Sequence, residues 1–246
     1  MTPHTATTTT RVRRPRPGRP RLIPQATMTM SPREHILDEA AHLFTSRGVT
    51  ATSTREIAEA VGIRQASLYY HYANKDEILA ELLQRSIRPT LDKIEKIQAL
   101  CAETGAGPDV GLYLLVVLDV RTLARAPHNA GVLTRLPEVQ RKEAFDPFRA
   151  ARDELEAGYA HLGTQVKDVA HPTSHQAPTG DFLGTLLLQL VEVVIGVRTH
   201  GHPITPAVEA IVAASCLRIC QADQSRIDAA AAWASELMRS LGASGS

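Results

Sequence analysis

The 246 residues carry 27 Lys and Arg against 26 Asp and Glu, with 43% hydrophobic and only 4% aromatic side chains. That is enough apolar material for a small and a medium domain with cores of Ala, Leu, Val and Ile, a composition suited to packed helices. No uninterrupted apolar run reaches the ~18 to 20 residues of a membrane span, since the longest, Leu112 to Leu118, stops at Asp119.

The N-terminus lacks the hydrophobic stretch of a signal peptide, so a cytoplasmic protein without a membrane partner is expected. The near-zero net charge hides an asymmetry. Residues 1–90 hold 13 basic against 8 acidic side chains, and residues 91–246 hold 14 against 18. A basic front half suits the neutralisation of phosphates. Three cysteines, Cys101, Cys216 and Cys220, fit a reducing compartment and match no zinc spacing. Cys216 and Cys220 lie four apart and share a helical face, as small core residues or as a thiol sensor.

In chain order, Met1 to Met30 is rich in Thr, Pro and Arg without apolar periodicity, and is expected to be disordered in isolation. Arg11, Arg13, Arg14, Arg16, Arg19 and Arg21 stand there on a proline-stiffened backbone. Such an arm either lies along phosphates or enters a narrow minor groove, or it only solubilises.

Residues 31–75 read as three helices. Ser31 with Glu34 and Ser53 with Glu56 are capping boxes, and Asn74 with Glu77 opens a fourth helix. Arg47-Gly48 closes the first helix. Ile57, Ala58 and Val61 face inward from the second, Gly62 supplies the turn, and Ile63, Leu68 and Tyr72 anchor the third. Arg64, Gln65, Ala66, Ser67, Tyr70 and His71 are then left outward. Arg and Gln match guanine and adenine edges bidentately, while hydroxyls and lysines are common phosphate ligands. A second helix joined by a turn is the geometry that enters a DNA major groove.

Ile36 to Leu83 resembles the DNA-binding domain of the TetR family of bacterial transcriptional regulators, through Ala40, Leu43, Phe44, Gly48, Thr54, Ile57, Ala58, Ala60, Val61, Gly62, Leu68, Tyr69, His71, Tyr72, Lys75 and Leu79. The resemblance implies that Ser67, Tyr69 and Lys75 grip the DNA backbone, with Thr54 and His71 among the contacts. It also implies that Arg64, Gln65, Ala66 and Tyr70 face the groove. Arg64 and Ala66 depart from the usual small hydroxylated cap and glycine, which bears on the operator sequence and not on the fold. Pro89 is expected to bend or split the fourth helix near Ser86 to Thr90.

Residues 76–246 read as an all-helical body for ligand binding and dimerisation. Helices are expected at about 109–126, 129–135, 137–162, 181–200, 206–221 and 225–241. Gly163 to Gly180 is expected to be a polar loop, whose His171 and His175 lack the carboxylates of a metal site.

Burying an ionised group is costly without a partner, so charge inside an apolar stripe marks candidates. Arg152 interrupts Phe145, Phe148, Leu155, Tyr159 and Leu162, Arg149 and Asp153 flank it, and Asp119 sits among Leu115, Val116 and Leu123. These residues form either Asp119–Arg152 or Arg149–Asp153 ion pairs that serve packing, or a ligand pocket. Such a pocket would be built from Asp119, Phe145, Phe148, Arg149, Arg152 and Asp153 and would suit a hydroxylated aromatic or a small organic acid. Gln189 and Glu192, in the apolar run Phe182 to Val197, are expected to hydrogen-bond at a dimer interface, with ligand contact as the alternative.

The sequence thus predicts an all-α homodimeric repressor that binds a palindromic operator, released by a small organic effector and without a cofactor or metal. The alternative is an architectural DNA binder whose body only dimerises. An enzyme is third, because no nucleophile, base and orienter stand at usable spacing.

Overall fold

The computed structural model describes residues 30–170 and 180–243, and among these there is no strand. The arginine arm at 11–21 and the histidines His171 and His175 lie outside the described residues.

Among the described residues eleven helices follow in order: α1 Pro32–Arg47, α2 Thr54–Val61, α3 Gln65–His71, α4 Lys75–Leu91, α5 Ile94–Thr104, α6 Pro108–Arg125, α7 Asp146–Ala170, α8 Gly180–Val191, α9 Val193–Thr199, α10 Pro206–Ile219 and α11 Gln224–Ala243. A 3-10 segment, Pro127–Arg135, and a short turn, Glu143–Phe145, connect α6 to α7.

Helices α1 to α3 form the head. Ile36, Ala40, Phe44, Ile57, Leu68 and Tyr72 from these helices pack with Ile78 and Leu79 of α4, all at most 2% exposed. From there the buried apolar residues run without interruption into the body, so α4 belongs to both parts and the expected boundary at residue 75 lies inside one continuous core.

Four expected elements differ. Pro89 does not split α4, which continues to Leu91 and turns only at Asp92 and Lys93. Ser86 and Thr90 are buried on either side of Pro89, and packing holds the last turn in place. The helix expected from Pro137 starts nine residues later, at Asp146 with Pro147 in its first turn, where a proline costs no hydrogen bond. Residues 137–142 instead make successive turns.

Helix α7 also runs through the expected loop at Gly163 as far as Ala170. Its buried stripe Leu155, Tyr159, Leu162 and Val166 keeps helical spacing across the glycine. A Cβ at Gly163 would lie 2.8 Å from Leu187, so the missing side chain serves packing there. The helix expected over 181–200 breaks at Glu192 into α8 and α9. By length and mean hydropathy, 1.7, the stretch Gly180–Thr199 is apolar enough to cross a membrane, but 44% of it is buried inside the protein and Glu192 sits within it as half of an ion pair.

The 129–135 helix is present as 3-10 turns with a break. His128 and Asn129 take positive φ, 48° and 55°, a conformation that Asn tolerates better than most residues. Asn129 Nδ2 donates to Ile195 O and Thr199 Oγ1, both at 3.0 Å, and Arg198 donates to Asn129 Oδ1, Leu123 O and Ala126 O. Helix α9 thereby fixes the elbow at the end of α6. The elbow in turn reaches the head, with His128 Nε2 3.3 Å from Asp38 and its ring 5.0 Å from that of His42.

Candidate nucleic-acid interface and buried polar site

The exposed face of the head is set by local capping. Ser53 Oγ accepts from Glu56 N at 3.2 Å while Glu56 Oε2 accepts from Ser53 N at 2.8 Å, which fixes the start of α2. Gly62, with φ 74°, makes the left-handed turn that redirects the chain into α3. Because Leu68 and Tyr72 are buried, Arg64, Gln65, Ala66, Ser67, Tyr69 and Tyr70 all emerge on the outside, Tyr70 with 88% exposure.

Three of the expected contacts meet each other. Gln65 Nε2 donates to Thr54 Oγ1 at 3.0 Å and to Tyr69 OH at 3.2 Å, and the two hydroxyl oxygens are 3.1 Å apart. The triangle restricts the glutamine on the exposed face and uses both of its amide hydrogens, so a new partner for that nitrogen has to displace one of these bonds. His71 is half-buried at the end of α3, where its carbonyl accepts from Arg33 at 3.2 Å. Arg33 also stacks 4.4 Å over Tyr72 and pairs with Glu81, bracing α1 and α3 against α4.

Lys75, expected at a phosphate, makes two contacts within the head. Its ammonium donates to Val49 O at 2.5 Å and Thr52 O at 2.8 Å, tying down the loop between α1 and α2. Two of its three donors are spent on these carbonyls. A cleft of about 460 Å³ lies beside it, lined by Thr50, Ser53, Thr54, Tyr69, Asn74 and Lys75.

In the body, burial selects among the candidates. Asp119 is 2% exposed. It accepts from Tyr159 OH at 2.9 Å and from Thr90 Oγ1 at 3.1 Å, so one carboxyl joins α6 to α7 and α4. Burial is the chief cause that pushes its pKa up to about 6, against the lowering effect of both hydroxyls. Arg152 pairs not with Asp119 but with Glu192, and Arg135 stands 4.0 Å from the same carboxylate. Glu192 is therefore an interior ion-pair partner and not an interface residue. The length of its apolar run was the available signal, but nothing in the sequence brings it to Arg152.

Asp119, Arg152 and Glu192 line one cavity with Phe148, Leu155 and Leu188. Its volume is about 20 Å³, room for roughly one water. Phe145 is fully buried but does not line it. Arg149 and Asp153 are corrected more strongly. Arg149 turns to the chain before α7, donating to Val139 O at 2.7 Å and Lys142 O at 3.0 Å and pairing with Asp146, while Asp153 is exposed. One turn of helix separates Arg149 and Arg152 enough to serve different sites. Cys216 and Cys220 are buried and reduced, and burial raises both thiols, Cys220 to about 12. Such thiols are poor nucleophiles, as expected of small core residues. Among the described residues no group of His, Cys, Asp and Glu could hold a metal ion.

Residues 36–82 match the sequence profile of the bacterial regulatory proteins of the tetR family. The chain is 46% identical over 123 residues to the HTH-type transcriptional repressor KstR2 of Mycobacterium tuberculosis, a match spanning 50% of this chain and 58% of that repressor. It superposes on the crystal structure of Mycobacterium smegmatis AmtR with a TM-score of 0.72 and 35% identity, over 90% of this chain and 98% of the other. It belongs to the TetR family. The resemblance carried by Ile36 to Leu83 thus holds, and the all-α architecture of head and body is that of a TetR-family regulator. A shorter match within this family is the regulator AcrR of Shigella flexneri, 41% identical over 54 residues, 22% of this chain and 25% of that one. That match is short, whereas AmtR is alike over the TetR-family body as well.

Proposed function

We propose that this protein is a transcriptional repressor that binds a palindromic operator as a homodimer and releases it when a small molecule occupies the body. The observation that carries the DNA-binding part is the outward face of α3, where Gln65 stands bonded to Thr54 and Tyr69 among exposed Arg64, Ser67 and Tyr70. In this reading Gln65 and Arg64 address base edges, and Ser67 and Tyr69 address phosphates.

The dimer is supported by α8 and α10, which pack side by side and leave Phe182 and Ile211 exposed at 66% and 63%, with Val193 at the start of α9 exposed at 46%. Two-fold pairing through this face would place two copies of α3 on successive grooves.

For the effector, Asp119 offers acceptor capacity in a buried cavity, whereas Arg152 is already neutralised by Glu192. The site therefore suits a donor such as a phenolic hydroxyl better than an organic acid. Entry has to move apart the helices that line the cavity, since its volume of about 20 Å³ is room for roughly one water. That small volume favours a second reading, a DNA binder whose body only dimerises.

Both readings are tested by fluorescence anisotropy on a duplex from upstream of the protein's own gene, with phenols, organic acids and apolar compounds added in turn. Gln65→Ala is expected to weaken specific binding about 5- to 150-fold, the ~1 to 3 kcal/mol of one bidentate base contact, while leaving binding to unrelated DNA unchanged. Equal losses on both DNAs would remove Gln65 from base reading. Release by a phenol supports the ligand-controlled repressor, and binding that no compound disturbs supports the second reading.

A further inference from the structure

The connection between α6 and α7 belongs to the body but ends against the head. Lys142 Nζ lies 2.8 Å and 3.0 Å from the two carboxylate oxygens of Asp76, in the first turn of α4. Asp76 follows Asn74 and Lys75, which line the cleft on the α2–α3 side of the head. A carboxylate left bare there would repel an approaching phosphate.

The ion pair is half-exposed, Lys142 at 50% and Asp76 at 33% of their side chains. Pairs of that exposure contribute little to stability, so folding does not explain why the connection is built to hold it. It is nevertheless held. Arg149 donates to the carbonyls of Val139 and Lys142 and pairs with Asp146, fixing the turns at 137–142 against the start of α7.

We propose, resting on the DNA-binding reading above, that Lys142 is a body residue of the DNA-binding surface. It neutralises Asp76 beside Lys75, and Arg149 is the positioning residue that keeps it there. DNA affinity then depends on where the body holds residues 137–142, so a shift of α7 changes the charge seen by phosphate as well as the spacing of recognition helices.

The experiment is a mutant cycle on the full chain, with anisotropy on the upstream duplex over a range of salt concentrations. Lys142→Ala is expected to weaken binding about three- to tenfold at low salt, an effect that shrinks as screening increases. Asp76→Asn alone should bind at least as tightly as wild type, and Lys142→Ala with Asp76→Asn should return to within about twofold of it. Arg149→Ala should repeat the loss and be rescued by Asp76→Asn in the same way, while Lys142→Arg should bind normally.

Two outcomes would overturn the inference: wild-type affinity in Lys142→Ala, or a loss that Asp76→Asn does not restore, which would put Lys142 directly on a phosphate. Unfolding of Arg149→Ala, visible in the fluorescence of the single tryptophan Trp233, would leave the Lys142 and Asp76 cycle to decide. Failure of wild type to bind any duplex is a different result, because it removes the DNA-binding reading itself.

Discussion

Asp119 shows how one buried carboxyl is tuned. Its folded pKa, about 6, lies above the ordinary value of 3.8, with burial as the main cause. A group raised on folding stabilises fully below its unfolded pKa and loses that contribution as pH rises through its folded pKa. Asp119 should therefore make the protein less stable between about pH 4 and pH 6, by on the order of 2 to 3 kcal/mol. Glu56 and Glu81, lowered in the folded state, act in the opposite direction, so the useful quantity is a difference. Asp119→Asn minus wild type, from denaturant unfolding at several pH values, should rise across that window and be flat above it. A flat difference throughout would show that the carboxyl titrates normally. At the same scale the sequence marked Asp119 and Arg152 as charge in apolar stripes, but it offered their mutual ion pair as one alternative and not the partners they have. Their partners, Tyr159 with Thr90 and Glu192, lie on other helices.

Among the elements, α7 and α8 approach closely at Gly184. A Cβ added at Gly184 would collide with the carbonyl oxygen of Glu156, which is backbone and cannot rotate away. Gly184→Ala should accordingly destabilise the protein by about 1 to 3 kcal/mol, despite the better helix propensity of alanine. The check is the midpoint of chemical unfolding, and an unchanged or raised midpoint would mean that the helices separate freely at this point. Element boundaries were legible where the chain carries its own punctuation. Ser53 with Glu56, Gly62 and Asn74 with Glu77 mark ends that the structure keeps. They were not legible at Gly163 or at Pro89, where long-range packing overrides a local breaker, nor at Glu192, where the helix breaks at an ion-paired residue.

For the whole molecule, the exposed apolar residues of α8 and α10 are the surface through which the proposed dimer would hold two heads together. If two copies pair there, a charge in the middle of the face should separate them. Ile211→Glu is expected to elute as a monomer with its helical content intact. Its affinity for a palindromic duplex should fall at least about tenfold, because the second half-site no longer binds at high effective concentration. Light scattering that still shows a dimer would place the interface on another face. The charge asymmetry of the sequence operates at this scale too, since the basic front half includes the helix-turn-helix while the acidic remainder forms most of the body.

The sequence by itself determined the head: helix ends, the buried faces of α1 to α3 and the residues left outward all follow from caps, a turn glycine and apolar spacing, which are short-range. It also determined that charge is buried in the body, because Arg152 and Asp119 interrupt apolar stripes. Only the tertiary structure decided which charges meet. Arg152 finds Glu192 across 40 positions and Lys142 finds Asp76 across 66, and no helical periodicity links residues so far apart. Pairing at that distance depends on how α4, α7 and the α8–α9 junction pack, and packing is a property of surfaces brought together, not of any one stretch of chain.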